Sequence, residues 1–194
     1  YTITLKDKLY WSNGDKLTAD DVVFTIGLAK NPLVQSPQRA GWEGVDAEKI
    51  DERTVRFNLK KAYAPFIENL TLGILPRKMW EGVHPSQISL AELNINPLGA
   101  GPYKINSVNR DSSGAISSIK LRANKRFSAG RPNIKNIYLR FYQDENSALK
   151  DLSARFINSL GAVSSKKAAA VAKSGVKINA ISLKRIIAVF LNQG

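Results

Sequence analysis

The stretch PLGAGPYKI, Pro97 to Ile105, decides how this chain is read. Two glycines bracket an alanine, a proline follows, and from Tyr103 the residues alternate as a strand does. A phosphate-cradling loop needs several free backbone N–H groups with a helix N-terminus behind them. Here Pro102 removes one N–H, no lysine–serine pair follows, and a strand pattern comes next in place of a helix. The stretch therefore reads as architecture. Its glycines are expected to supply positive φ in a tight crossover, and its proline to fix the entry to the strand.

Downstream, YKINSVNR and ISSIKLRAN read as two strands joined by the turn DSSG, and NIYLRFYQ as a third. In the third, Tyr138 and Tyr142 share one face with Arg140 beside them, and Leu139 and Phe141 the other. A strand that stacks nucleic-acid bases has this pattern; a half-buried structural strand has it too and is commoner. DENSALKDLSARF reads as a helix with an acidic start, and SSKKAAAVAKSG as a small helix closed by Gly175. VKINAIS and RIIAVFLN read as further strands.

Upstream, YTITL alternates as a strand and is followed by the turn SNGDK. In LTADDVVFTIGLAKNP, Thr18 is placed to cap a helix whose first turn holds Asp20 and Asp21, where the helix dipole favours anions. Val22, Val23, Ile26 and Ala29 then recur at helical spacing until Asn31-Pro32. Adjacent carboxylates on a helix point about 100° apart, so capping is a better account of this pair than acid–base chemistry. NPLVQSPQRAGWEG reads as a polar loop with two prolines. VDAEKIDERTVRFNLKK reads as a hairpin whose second arm sets Val55, Phe57 and Leu59 against Thr54, Arg56 and Asn58. APFIENLTLGILPRKMWEG carries a short helix and a breaker, and Asn69-Leu70-Thr71 matches a short glycosylation sequon.

The 194 residues suit one large domain or two small ones, at about 100–200 residues each. With 43% hydrophobic and 23% charged residues, the composition is that of a globular protein. The longest apolar run, Ile186 to Leu191, falls far short of the ~20 residues that span a bilayer as a helix. The opening YTITLKDKLYW lacks the basic start and long apolar core of a signal peptide. Net charge is +13, and it is unevenly placed. Residues 1–103 hold 12 Lys+Arg and 12 Asp+Glu; residues 104–194 hold 17 and 4. A basic half of this kind attracts nucleic acid, anionic lipid or an acidic partner domain.

Catalytic and metal chemistry finds few residues. There is no cysteine, and His84 is the only histidine, set in the Gly/Pro-flanked polar loop EGVHPSQ. That rules out thiol nucleophiles, Cys-ligated metals and multi-His sites, and makes His84 a solvated loop residue rather than a triad base. Lys166 and Lys167 fall on a polar helix face. A hydrolase is the weakest of the functional readings, for want of a nucleophile–base pair; no catalytic residue, metal or cofactor is assigned.

Taken in order, the motifs resemble those of the bacterial extracellular solute-binding proteins of family 5, the peptide, dipeptide and nickel binding subunits of ABC importers. YTITLKDKLYWSNGDKLTADDVVFTI is similar to the family's strand, aromatic, Asp-Gly and Leu-Thr-Ala-acid-Asp-Val opening, with Trp11 as the aromatic and Asn13-Gly14 for Asp-Gly. TVRFNLKKAYAPFIENL resembles its strand and aromatic-proline helix, and ILPRKMWEGV a stretch usually ending Pro-Lys-His-Trp. PLGAGPYKI looks like Pro-x-Gly-Thr-Gly-Pro-Tyr, with Ala100 for threonine. LRANKRFSAGRPNIKNIYLRF resembles the Asn-x-x-Tyr-Trp … Pro-x-Leu-Asp segment, with Phe127 for tyrosine. Two departures stand out: LSARFIN carries Asn158 where Leu-x-x-Gly-Glu-Ile-Asp has its aspartate, and Lys and Arg are denser than in the family pattern.

The resemblance implies a mixed α/β fold, a type II periplasmic-binding-protein lobe with mixed sheets flanked by helices. It implies a division into 1–96 (a strand–helix–hairpin–helix subdomain), 97–184 (the sheet-bearing core part of the lobe) and 185–194 (a hinge strand toward a second lobe outside this chain). The chain is expected to be less than half of a family member. The implied role is binding without catalysis: two lobes close over a peptide or similar small solute, and the closed form is read by the ABC permease transmembrane subunits. Ser36, Gln38 and Trp42, in the loop after the first helix, and Phe190 and Asn192, in the hinge strand, are the implied ligand contacts. The location implied is extracytoplasmic, peripheral to a membrane at most, with any lipid anchor on a segment outside this chain. No specific nucleic acid is expected. The alternative is a basic domain binding nucleic acid or an anionic surface through residues 104–194.

Overall fold

A computed structural model of the chain describes residues 1–161, 163–173 and 175–179. They fall into two compact units, the first Tyr1–Phe141 and the second beginning at Tyr142.

The first unit starts from an alternating hairpin. Strands β2 (Val45–Lys49) and β3 (Thr54–Leu59) pair antiparallel, with Ala47 opposite Phe57. Strand β1 (Thr2–Thr4) adds to the other edge of β3, giving the order β1-β3-β2. The expected inward face is the observed one: Val55 and Phe57 are buried, and Arg56 and Asn58 are exposed. Helix α1 (Ala19–Lys30) lays Ala19, Val22, Ile26 and Ala29 on this sheet. At its start Asp21 accepts the Thr18 N–H at 2.9 Å, one half of a capping box.

Asp21 and Thr25 also hold the chain that returns 50 residues later. The other Asp21 carboxylate oxygen accepts the Arg77 N–H at 2.8 Å, and the Thr25 hydroxyl accepts the Leu75 N–H at 2.9 Å. The TADD motif thus joins α1 to the segment leading into α4 (Arg77–Trp80). His84 is exposed at the start of the 3-10 turn Pro85–Leu90, its Nδ1 2.9 Å from the Ser86 hydroxyl.

The motif at Pro97–Ile105 is a knot of backbone bonds. The Gly99 carbonyl accepts the Ser12 N–H at 2.9 Å, and the Pro102 carbonyl accepts the Asn124 N–H at 2.8 Å. The Asn124 side chain, 1% exposed, donates to the Gly101 carbonyl at 2.9 Å and accepts the Arg126 N–H at 3.0 Å. One expectation is corrected here. Neither Gly99 nor Gly101 adopts positive φ, and a Cβ on either would meet nothing closer than 3.9 Å. The crossover is held by its carbonyls and runs in ordinary backbone conformations. Positive φ belongs instead to turns such as Gly14, at 109°, and Gly114, at 84°, in the loop between β4 (Tyr103–Arg110) and β5 (Ile116–Ala123).

Strand β6 (Asn136–Arg140) completes a second antiparallel sheet, β4-β5-β6. Its pleat sorts the side chains. Ile105, Leu121 and Ile137 align across one face, while Lys104, Arg122 and Asn136 align across the other. A bulge between Ile105 and Ser107 leaves Asn106 unpaired with β5. The expectation of a half-buried third strand is met only at Ile137, since Tyr138, Leu139 and Phe141 are all exposed. Strand pairing ends at Arg140, before the second tyrosine of NIYLRFYQ.

The second unit contains α5 (Glu145–Ser153) and α6 (Ser165–Lys173), with Gly175 following at φ 81° as expected of a helix stop. Residues 176–179, the described part of VKINAIS, form no strand. RIIAVFLN lies outside the described residues. Asp144 caps α5: its carboxylate accepts the Ser147 N–H at 3.0 Å and the Ser147 hydroxyl at 2.6 Å. Glu145 reaches the start of α6, accepting the Ser164 N–H at 2.7 Å and pairing with Lys167 at 3.0 Å.

These hydrogen bonds hold both carboxyls below their ordinary range. The largest cause for Asp144 is the Ser147 hydroxyl, and for Glu145 the Ser164 N–H. A carboxylate depressed in the folded state contributes stability above its unfolded pKa and loses it as pH falls through the folded value. The two helix starts are therefore expected to loosen below about pH 4. Asp144→Ala should raise amide exchange at Ser147 about fivefold at neutral pH. It should also flatten the acid dependence of that exchange; an unchanged acid limb would remove Asp144 from the account.

Candidate functional site

The candidate site grows from the loop that leaves α1. Asn31 ends the helix and turns its side chain forward, accepting the Leu33 N–H at 2.9 Å and starting a 3-10 turn at Pro32–Val34. Gln35 closes that turn in the left-handed region, at φ 53°. The Ser36 hydroxyl oxygen accepts the Gln38 N–H at 3.2 Å, and the Ser36 carbonyl accepts the Arg39 N–H. The stretch expected to be wholly loop therefore contains this turn and a short helix, α2 (Arg39–Trp42). Locally satisfied N–H groups explain it: each hydroxyl or amide oxygen closes a turn within two residues.

Trp42 lies at the other end of that helix and is 2% exposed. Its ring meets Phe66 edge-on at 5.7 Å and Phe57 at 6.1 Å, and Phe66 in turn meets Tyr1 at 5.0 Å. Phe66 opens α3 (Phe66–Asn69), whose last residue donates its side-chain amide to the Gly41 carbonyl at 2.6 Å. A Cβ on Gly41 would lie 3.1 Å from the Asn69 carboxamide oxygen, so this close approach favours glycine at 41.

The three sequence-derived candidates thus separate. Ser36 is half-buried and Gln38 exposed at the rim of the loop, while Trp42 anchors the loop in the aromatic core. Phe190 and Asn192 lie outside the described residues. Sequence reasoning missed Asn69 as the latch that seats this loop; the bond crosses 28 positions, and no local pattern announces it. A concavity of about 500 Å3 opens beside the aromatic cluster, lined by Tyr1, Phe57, Leu59, Ala62 and Tyr63 among others. Ser36 and Gln38 are not part of its lining. Among the described residues no group of three or more His, Cys, Asp or Glu is placed to hold a metal ion. No described helix is long and apolar enough to cross a membrane.

Two antiparallel sheets joined by a knotted crossover, with a latched loop after the first helix, make this part of a type II periplasmic-binding-protein fold. Residues 1–194 match the bacterial extracellular solute-binding proteins, family 5 Middle, and the chain belongs to that family. It is 31% identical to the ABC transporter substrate binding protein CtaP of Listeria monocytogenes, with a TM-score of 0.78 over 90% of this chain and 35% of that one. It is similar to the oligopeptide-binding protein AppA of Bacillus subtilis, 29% identical over 81% of this chain and 29% of the relative. The AppA structure, in complex with a nonapeptide, superposes with a TM-score of 0.73 and covers 81% of this chain and 31% of that one. NikZ of Campylobacter jejuni, in complex with Ni(L-His), is 28% identical with a TM-score of 0.71, over 81% of this chain and 30% of that one. The chain spans 27% and 29% of the length of the curated relatives it matches, an ABC transporter peptide-binding protein of Brucella ovis and AppA. The family is one of extracellular solute-binding proteins, and the neighbours are substrate-binding proteins rather than enzymes; neither favours the nucleic-acid alternative.

Proposed function

We propose that this chain is part of the substrate-binding component of an ABC-type importer. It binds a peptide or similar small solute in an interlobe cleft and delivers it to the permease without catalysing a reaction. The observation that carries this reading is the family match over residues 1–194. Membership alone leaves the solute open, because one relative is described with a nonapeptide and another with a nickel–histidine complex. Hydrated contacts to a peptide main chain would suit weak sequence preference, and lobe closure would set affinity as a hinge-type population shift.

Within the loop, Ser36 and Gln38 are the proposed contacts; Trp42, expected as a third, is buried against Phe57 and Phe66, and its proposed role is to anchor the loop that carries them. Phe190 and Asn192 complete the proposed set. The division at 1–96, 97–184 and 185–194 is retained as a proposal, as is an extracytoplasmic location with any lipid anchor on another segment.

Calorimetric titration of the full-length protein with di- to pentapeptides, nickel–histidine and oligosaccharides tests this. Heat is expected with at least one peptide class. Gln38→Ala should weaken that binding about fivefold, the worth of one exposed hydrogen bond, at unchanged thermal stability. Flat titrations across all three solute classes would sink the reading.

A further inference from the structure

The polar face of the sheet β4-β5-β6 gathers cations that have no counter-ion among the described residues. Lys120 and Arg122 alternate along β5, and Arg131 and Lys135 come from the segment that leads into β6. With Asn106 and Asn136 they line one concavity of about 240 Å3, and no carboxylate is among its described lining residues. Among the described residues none of the four cations has an acidic partner; Lys120 instead lies 5.1 Å from the centre of the Tyr138 ring. Asn106, two residues beyond Lys104, falls on the same face of β4, and the bulge leaves it without a partner in β5.

Such a concavity is electrostatically incomplete. Four like charges around one small volume repel, and an anion at their centre replaces that repulsion with charge-assisted hydrogen bonds. The donor set fits one chemistry best. Two guanidinium forks, two ammonium groups and two carboxamides exceed what the two oxygens of a carboxylate can use. A tetrahedral oxyanion has acceptor oxygens in several directions and pairs well with arginine forks. We propose that this concavity binds a phosphate-class oxyanion, either free phosphate or the phosphate of an anionic lipid headgroup. The site is independent of the importer reading, because neither Ser36 nor Gln38 belongs to it.

The test uses the full-length protein at fixed ionic strength, with inorganic phosphate in one arm and phosphatidylglycerol against phosphatidylcholine vesicles in the other. Saturable phosphate binding, selective sedimentation with phosphatidylglycerol, or both, is expected; the arm that responds identifies the source. Lys120→Gln with Arg122→Gln should weaken it about tenfold or more. Arg131→Gln with Lys135→Gln, off the central strand, provides a second variant that leaves β5 intact. Lys60→Gln with Lys61→Gln removes the same charge from another surface and should change binding less than about twofold. Three results overturn the proposal: no response in either arm, equal loss in the Lys60/Lys61 control, or tighter binding of a generic single-stranded oligonucleotide than of phosphate or vesicles. Peptide titration of the Lys120/Arg122 variant should match the unaltered protein, so that failure here and failure of the importer reading are read separately.

Discussion

Trp42→Ala is expected to destabilise the Tyr1–Phe141 unit by about 3–5 kcal/mol, the usual range for removing a buried aromatic. The indole contacts Phe57 and Phe66 and is closed off from solvent, so its loss leaves a cavity that strand β3 and helix α3 cannot collapse into without breaking their own bonds. Amide exchange at Val55 and Phe57 in the full-length protein reads this unit directly; protection there should fall by about two to four orders of magnitude. Trp42→Phe should cost less, since a ring remains against Phe66. Leu33→Ala, in the same loop but 54% exposed, is expected to stay within about 0.5 kcal/mol. If Trp42→Ala costs no more than Leu33→Ala, the indole is not the loop's anchor, and the proposal that Trp42 holds the loop carrying Ser36 and Gln38 falls.

The same pair of positions marks the boundary between what the sequence tells and what it conceals. Strand β3 is legible because its information is local: Val55, Phe57 and Leu59 alternate with polar residues, and a period of two admits one inward face. Helix α1 is legible for a similar reason, with Thr18 and Asp21 at its start and apolar residues at helical spacing. Trp42 is ambiguous in sequence, because a tryptophan in a polar loop serves equally as a ligand contact or as an anchor. Only Phe57 and Phe66, 15 and 24 positions away, decide between them. The latch from Asn69 to Gly41 and the bond between Thr25 and Leu75 are invisible for the same reason: they are tertiary, and the side chains that make them look like ordinary polar surface residues.

The basic half shows the opposite case. Its charge is plain in the composition, yet composition cannot say whether the cations are dispersed or convergent. Strand pleat and register place Arg122 beside Asn136 and Lys120 beside Tyr138. That convergence distinguishes a site from a merely basic surface, on which screened charges act independently.

Asn124→Ala is expected to cost about 2–4 kcal/mol, because it strands two groups at once: the Gly101 carbonyl and the Arg126 N–H both lose their partner at a position 1% exposed. The motif PLGAGPYKI depends on that residue. Its glycines sit in ordinary backbone conformations, so the crossover gets its shape from the bonds its carbonyls accept. Asn124→Asp separates hydrogen bonding from volume. It keeps an oxygen for the Arg126 N–H but turns a second oxygen toward the Gly101 carbonyl, where the native amide donates. A proton on that carboxyl restores the donor, so the folded state raises its pKa above the unfolded value of about 3.9. The stabilising proton is in place below that value and is lost as pH rises through the folded pKa. The variant should therefore approach the native stability near pH 4 and fall behind it toward pH 7, whereas Asn124→Ala should stay displaced at both. Denaturation of the full-length protein at the two pH values, with amide exchange at Arg126 as the local probe, distinguishes these outcomes. An Asn124→Asp variant as stable as the native protein at both would mean that the Gly101 carbonyl needs no donor, and the crossover would then have to be explained by its glycines after all.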